Sequence, residues 1–123
     1  MAQGLGAKEL AFLGDAVFEL MLRERLVANG ASYANLGKLA ARYANANAQA
    51  YMYRAIFDNL TDDEQAVLKR GRNLHSASRS KNADVIAYRH STGLEALFGF
   101  LHANGSQVRL REVFDMCMAV WEG

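Results

Sequence analysis

Apolar residues recur at three- and four-residue spacing along most of the chain, which is the pattern of amphipathic helices packed around a common core. The chain contains no proline, and the strong helix formers alanine and leucine are abundant. No internal repeat and no low-complexity linker interrupts this pattern. We therefore predict an all-α fold in which residues 1–123 form one domain.

Capping signals divide the helical pattern into elements. Asn29-Gly30 and Asn104-Gly105 are typical of helix C-termini, and Thr61-Asp62-Asp63-Glu64 is a capping box that begins a helix. With approximate bounds, a helix is predicted at Ala7–Ala28, followed by a helical region at Ser32–Asn59 that has a break or close contact at Ala44–Ala48. A short helix then runs from the capping box to about Arg70-Gly71, and a loop follows at Gly71–Asn82. The last two predicted helices are at Ala83–Ala103 and Val108–Trp121.

Two stretches, Phe12–Val17 and Ser91–Gly99, each place one carboxylate within an otherwise apolar helix. The acids are Asp15 and Glu95, and their neighbours along each helix are apolar on nearly all sides. Such helices are typical of segments buried between other helices. An ionised acid in those surroundings costs several kcal/mol unless a partner or a cation offsets it.

The residues themselves leave two explanations for the acids open. A cation shared by both acids is one, because Mg²⁺ binds carboxylate oxygens. Structural ion pairs are the other, with Arg23, Lys81 and Arg89 as the available partners.

Glycines beside the acids favour the shared cation slightly. Gly14 precedes Asp15, and Gly93 and Gly99 flank Glu95. A glycine within a helix costs about 1 kcal/mol relative to alanine, so another interaction has to compensate. We expect two helix backbones to approach closely at these glycines.

The distribution of charge indicates a polyanionic partner, although the formal net charge is only +1. No acid occurs between Glu64 and Asp84, and the basic residues of that segment are Lys69, Arg70, Arg72, Arg79 and Lys81. A local basic segment in a nearly neutral chain is the electrostatic pattern expected for contact with a phosphate backbone.

Composition also restricts the cellular location. The single cysteine, Cys117, excludes an internal disulfide and suits a reducing cytosol, and its apolar helical surroundings predict a packed thiol. Residues 1–6 do not resemble a secretory signal, and no apolar run approaches the roughly 20 residues of a membrane span. We expect a cytoplasmic protein that does not bind membranes.

Five segments, in order, resemble the ribonuclease III family. Leu10–Val17 resembles the signature helix of that family, and Leu94–Gly99 is similar to its second acidic motif. Three segments between them are similar to the Mini-III branch of the family, namely Leu68–Asn73, Lys81–Val85 and Tyr88–Thr92. The resemblance extends from about Leu10 to the last helix.

The resemblance implies a ribonuclease III catalytic domain without a double-stranded-RNA-binding domain. The family forms homodimers, which implies a two-fold contact through the signature helix with Phe12 as its anchor. The implied activity is Mg²⁺-dependent cleavage of double-stranded RNA, leaving 5′-phosphate and 3′-hydroxyl ends, in the maturation of precursor large-subunit ribosomal RNA. A non-catalytic RNA-binding scaffold is the alternative. Delivery of the substrate by a helper, such as a ribosomal protein, stays open.

The resemblance also implies that Asp15 and Glu95 hold the catalytic Mg²⁺. The chain departs from the family pattern at three positions where further acids are usual, since it has Lys8, Ala11 and Thr92 there. Fewer charged ligands should hold a cation more weakly and through more water, which leaves one-metal and two-metal mechanisms open.

Two other acids have competing interpretations. Glu19 lies one turn after Asp15, where it is either an additional metal ligand or the ion-pair partner of Arg23, and we favour the ion pair. The resemblance places Asp84 near the catalytic centre, and the alternative, which we favour, is a helix N-terminal acid stabilised by the helix dipole.

The predicted RNA contacts combine charge with hydrogen-bonding capacity, as phosphates and 2′-hydroxyls of an A-form duplex require. They are Arg70, Arg72, Asn73, Lys81 and Asn82. The resemblance places Lys81 and Asn82 near the catalytic centre and implies that Lys81 contacts the scissile phosphate. A solvated charged loop is the alternative interpretation.

Histidines and aromatic residues add no further site. The spacing of His75 and His90 does not match a zinc site, and His102 is isolated. Tyr88 and Phe100 are expected in the core, and Trp121 is expected to cover its end.

Overall fold

The computed structural model describes residues 4–75 and 82–122, and within these ranges the chain is helical apart from short connections. Its elements are α1 (Ala7–Ala28), α2 (Tyr33–Tyr43), α3 (Ala46–Ile56), a 3₁₀ turn (Phe57–Asn59), α4 (Asp62–Arg72), a second 3₁₀ turn (Asn73–His75), α5 (Ala83–Ala103) and α6 (Gln107–Glu122). The predicted all-α fold is confirmed. None of the helices described is long and apolar enough to cross a bilayer.

The helix bounds agree closely with those predicted from capping signals. α1 and α5 begin and end as expected, and the long second region divides into α2 and α3 at Ala44-Asn45. Asn45 begins α3, because its Oδ1 accepts a hydrogen bond from the Ala48 amide at 2.9 Å. The predicted loop begins later than expected, because α4 and the second 3₁₀ turn occupy its first residues. Residues 76–81 of that loop lie outside the described part of the chain.

α5 is the central helix and packs against α1, α3, α4 and α6. Its phenylalanine Phe98 lies in the middle of the core, where it meets Phe18 of α1 and Phe114 of α6 edge to face, with ring centroids 5.2 and 6.4 Å away. These three rings are fully buried. They join the helix that carries Glu95 to the helix that carries Asp15.

Glycines allow the backbones of α1 and α5 to touch. A Cβ atom on Gly14 would overlap the Glu95 carbonyl oxygen, and one on Gly99 would overlap the Leu10 carbonyl oxygen. The close helix approach expected from the glycines is therefore confirmed. Gly93 permits a similar approach of α5 to α4 on another face, since a Cβ there would lie 2.6 Å from the Leu68 carbonyl oxygen.

A partly buried ion pair connects the beginning of α4 to α6. Glu64 is 5 % exposed and closes the predicted capping box, with its Oε1 accepting from the Thr61 amide at 2.9 Å. The same carboxylate accepts hydrogen bonds from Arg109 Nε at 2.9 Å and Nη2 at 2.8 Å. Hydrogen bonding to Arg109 lowers the pKa of Glu64 below its ordinary value. The pair therefore remains ionised in neutral solution.

The C-terminal helix contains the packed residues that the sequence predicted. Cys117 is buried, and its burial raises the pKa of the thiol well above the ordinary value. Trp121 packs at the edge of the core, and its Nε1 donates a hydrogen bond to the Arg42 carbonyl at 2.9 Å. Phe100 of α5, which was also expected in the core, is half-buried against it.

Gly14→Ala or Gly99→Ala should lower the free energy of unfolding by about 3 kcal/mol or more, because the added methyl group meets rigid backbone. The matched control is Gly37→Ala in α2, where an added Cβ contacts nothing within 4 Å. That substitution should raise the same free energy by about 0.5–1 kcal/mol. Urea unfolding measures all three. Similar stabilities for Gly14→Ala and Gly37→Ala would show that the helices do not depend on this contact.

Candidate active site

An open groove between α1 and α5 contains both predicted acids, Asp15 and Glu95. We call it the acid-pair groove, and its lining residues are Lys8, Ala11, Phe12, Asp15, Leu74, Tyr88, Thr92 and Glu95. The glycine contact explains why the acids meet, because Gly14 packs against the backbone of Glu95 and immediately precedes Asp15. Acids that are 80 positions apart in the sequence thus share one groove.

The expectation that both acids are buried is wrong for Asp15, which is exposed, whereas Glu95 is half-buried. The reason is that α1 has apolar residues on two faces. One face packs into the core through Phe18 and Leu22. The other leaves Phe12 85 % exposed, and Asp15 lies beside it. A residue with apolar neighbours in the sequence is therefore not necessarily buried in the structure of a single chain.

The two carboxyl groups interact directly. The pKa of Glu95 is raised to about 8, first by burial, then by a hydrogen bond with Asp15, and then by the charges of Asp15 and Glu19. In the absence of a cation, Glu95 therefore keeps its proton at neutral pH. No arginine or lysine among residues 4–75 and 82–122 forms an ion pair with either acid. The ion-pair explanation has no support in this part of the chain, and Lys81 lies outside it.

The donor set suits a hard divalent cation that keeps much of its water. Mg²⁺ is commonly held by one or two carboxylates while retaining several water ligands. The described residues contain no group of three or more histidine, cysteine, aspartate or glutamate side chains placed to hold a metal. A cation here would therefore have Asp15 and Glu95 as its ligands from those residues, and water in its other positions.

The three departures from the family pattern all line the acid-pair groove. Lys8, Ala11 and Thr92 occupy its wall, so acids at these positions would face the same space. The Thr92 hydroxyl is already satisfied, because it donates a hydrogen bond to the Tyr88 carbonyl at 2.9 Å. The groove therefore has fewer acids in its wall than the family pattern would place there.

The two other acids lie as their simpler interpretations expect. Glu19 pairs with Arg23 at 3.6 Å, and both side chains are exposed. Its charge nevertheless contributes to the raised pKa of Glu95. Asp84 lies in the first turn of α5, and its amide donates a hydrogen bond to Asn82 Oδ1 at 2.8 Å.

The predicted RNA contacts are divided among different locations. Arg70 is exposed on α4, and Asn82 is the N-cap of α5. Arg72 and Asn73 do not line the acid-pair groove, because they line a separate pocket with Ile86, Arg89 and His90. Lys81 lies outside the described residues.

Tyr88 is a groove residue that the sequence analysis missed. The prediction that it belongs to the core is wrong, since it is 53 % exposed and lines the acid-pair groove. Helical spacing contained the signal, because Tyr88, Thr92 and Glu95 lie at i, i+4 and i+7 on one face of α5. Leu74 was missed for another reason, since it enters the groove from the turn after α4.

Comparisons with known proteins find relatives over most of the chain. Residues 8–106 match the family model described as the ribonuclease III domain. The chain is 44 % identical to Mini-ribonuclease 3 of Brevibacillus brevis, over 93 % of this chain and 86 % of that protein. It is 40 % identical to Mini-ribonuclease 3 of Enterococcus faecalis, over 93 % of this chain and 89 % of that protein. A Fusobacterium nucleatum protein solved by X-ray crystallography superposes with a TM-score of 0.80 at 28 % identity, covering 94 % of this chain and 93 % of that one.

Glu95→Gln should stabilise the metal-free protein in alkaline solution. The folded-state pKa of Glu95, about 8, lies above its ordinary value of 4.5. The contribution of this group to the free energy of unfolding is therefore complete below pH 4.5 and is lost as the pH rises through 8. Because glutamine cannot ionise, the stability of the variant relative to the native chain should rise by about 1–3 kcal/mol between pH 5 and pH 9.

Urea unfolding in EDTA at both pH values measures this difference. The matched control is Glu24→Gln, which changes an exposed glutamate of α1 outside the acid-pair groove. The same pH dependence in both variants would contradict the proton shared between Glu95 and Asp15.

Proposed function

The chain belongs to the ribonuclease III family, in its Mini-ribonuclease 3 branch, and is an endoribonuclease; we propose that it cleaves double-stranded RNA in the acid-pair groove. The observation that carries this proposal is the meeting of Asp15 and Glu95, two carboxyl groups from different helices that line one groove and interact through a hydrogen bond. With both groups ionised, such a pair is repulsive unless a positive charge binds between them.

Asp15 and Glu95 would hold Mg²⁺, which the family generally requires. When bound, Mg²⁺ supplies a more acidic water and stabilises negative charge on the reacting phosphate. The chain itself supplies position, because the contact of Gly14 with the Glu95 backbone fixes the two helix segments that carry the carboxylates. Glu95 would lose its proton on cation binding. Asp15 is exposed, so RNA reaches this acid from solvent.

The RNA is held by charge and shape, since the narrow major groove of an A-form duplex cannot be read by side chains. Lys8 contributes a positive charge to the wall of the acid-pair groove, and Tyr88 contributes an exposed ring and hydroxyl. Further contacts come from Arg70, Arg72, Asn73 and Asn82, and Lys81 contacts the scissile phosphate. The family resemblance supports these last assignments.

The substrate and products also follow the family pattern. We propose cleavage that leaves 5′-phosphate and 3′-hydroxyl ends, on precursor large-subunit ribosomal RNA, in the cytoplasm. Residues 8–106 match the ribonuclease III domain, and a helper such as a ribosomal protein contributes to substrate choice.

An apolar stripe on α1 supports a homodimer. Phe12, Ala16 and Leu20 lie at i, i+4 and i+8 and are all exposed. Large exposed apolar residues along one helix face are typical of a protein interface. In a two-fold contact each subunit presents the same stripe, so the anchor Phe12 is used twice.

Purified protein should cleave long double-stranded RNA in the presence of Mg²⁺. Asp15→Asn and Glu95→Gln should each lower the rate by at least about 100-fold, since loss of even a supporting residue at a metal site costs about 10–100-fold. Gel analysis of the products measures this, and Glu24→Gln serves as the control that keeps its activity. Salt-sensitive RNA binding without cleavage by the native chain would favour the non-catalytic scaffold.

Phe12→Glu should convert a dimer into a monomer, because it buries a charge in the two-fold contact. The matched control is Val108→Glu on α6, where another apolar residue is 79 % exposed. Sedimentation equilibrium gives the mass of both variants and of the native chain. A monomeric native chain, or a dimeric Phe12→Glu variant, would refute the proposed interface.

A further inference from the structure

A second pocket lies next to the acid-pair groove and has the opposite charge. Its lining residues are Arg72, Asn73, Ile86, Arg89 and His90, it holds about 250 Å³, and we call it the basic pocket. At two places, residues that are consecutive in the chain line different spaces. Asn73 and Arg89 line the basic pocket, whereas the adjacent Leu74 and Tyr88 line the acid-pair groove.

The chemistry of the basic pocket fits an oxyanion. Two guanidinium groups, a carboxamide and an imidazole come from two different elements, the end of α4 with the turn that follows it and the first half of α5. No carboxylate is among the described residues that line it. Guanidinium groups bind phosphate through paired hydrogen bonds, which makes arginine the usual residue for phosphate recognition.

Neighbouring groups hold the basic side chains in place. Arg72 Nε donates a hydrogen bond to Asn73 Oδ1 at 3.2 Å. His90 Nδ1 lies 2.8 Å from the Ile86 carbonyl oxygen, and because a carbonyl only accepts, Nδ1 carries the proton. The His90 ring also packs edge-on against buried Tyr53, with centroids 4.6 Å apart. The pocket is thus partly preorganised, which lowers the entropic cost of binding.

We propose that the basic pocket binds a backbone phosphate of the same RNA molecule whose scissile bond lies in the acid-pair groove. This inference rests on the proposed nuclease function and adds Arg89 and His90 to the RNA-binding residues. Its role is to set the position of the strand, because phosphate contacts fix register and orientation without reading bases. RNA is favoured over a free anion because the pocket directly adjoins the groove where RNA must lie.

The test is the salt dependence of RNA binding, because each phosphate contact releases counterions. Arg89→Gln and Arg72→Gln should each reduce the slope of log K against log salt by about one unit, as expected for one lost phosphate contact. The control is Arg42→Gln, which removes an exposed arginine of α2 that lines neither space. Fluorescence anisotropy with a labelled RNA duplex, with Ca²⁺ replacing Mg²⁺, measures binding by folded protein. Circular dichroism confirms folding, and Arg72→Gln keeps the test decisive if Arg89→Gln unfolds.

The outcomes separate this inference from the function on which it rests. Reduced slopes for both pocket variants, with an unchanged slope for Arg42→Gln, support the phosphate site. Equal slopes for all three variants, with cleavage by the native chain in Mg²⁺, overturn the phosphate site and leave the nuclease standing. A further outcome is that the native chain binds inorganic phosphate and the pocket variants do not, while the variants keep the salt slope of the native chain for RNA binding. That outcome makes the pocket a small-anion site and overturns its assignment to RNA. Absence of both RNA binding and cleavage overturns both proposals.

Discussion

The contact between the backbones of α1 and α5 is the constraint on which the rest of the structure depends. Gly14 and Gly99 permit it, and no other residue fits at either position without separating the helices. The core follows from this contact, because it brings Phe18 of α1 against Phe98 of α5. The acid-pair groove follows as well, since Asp15 is the residue after Gly14. Scaffold and site are therefore products of one helix crossing.

Local signals explain why the helices could be predicted so closely from the sequence. Asn29-Gly30 and Asn104-Gly105 end α1 and α5, and the Thr61 capping box begins α4, all through hydrogen bonds within a few residues. The close contact between α1 and α5 could also be predicted, because glycines within helices lower stability unless a close backbone contact compensates. The positions of Asp15 and Glu95 in one groove could be expected from the family resemblance.

Exposure could not be predicted in the same way, because it depends on which helix faces are covered by neighbours. Asp15 and Tyr88 were both expected among apolar side chains, yet both are exposed. α1 carries a second apolar face that no element among residues 4–75 and 82–122 covers, which is why Asp15 is exposed despite its apolar neighbours. The separation of Arg72 and Asn73 from the acids depends on how α4 ends beside α5. No local pattern contains that information.

The small number of acids in the groove has a consequence for how the protein responds to its surroundings. A cation held by two carboxylates and otherwise by water would be bound with modest affinity. Occupancy of such a centre then follows the free concentration of the ion in the cell, whereas a site rich in carboxylates stays filled. Under the proposed Mg²⁺-dependent cleavage, the rate of RNA cleavage would therefore follow the free magnesium concentration in the cell.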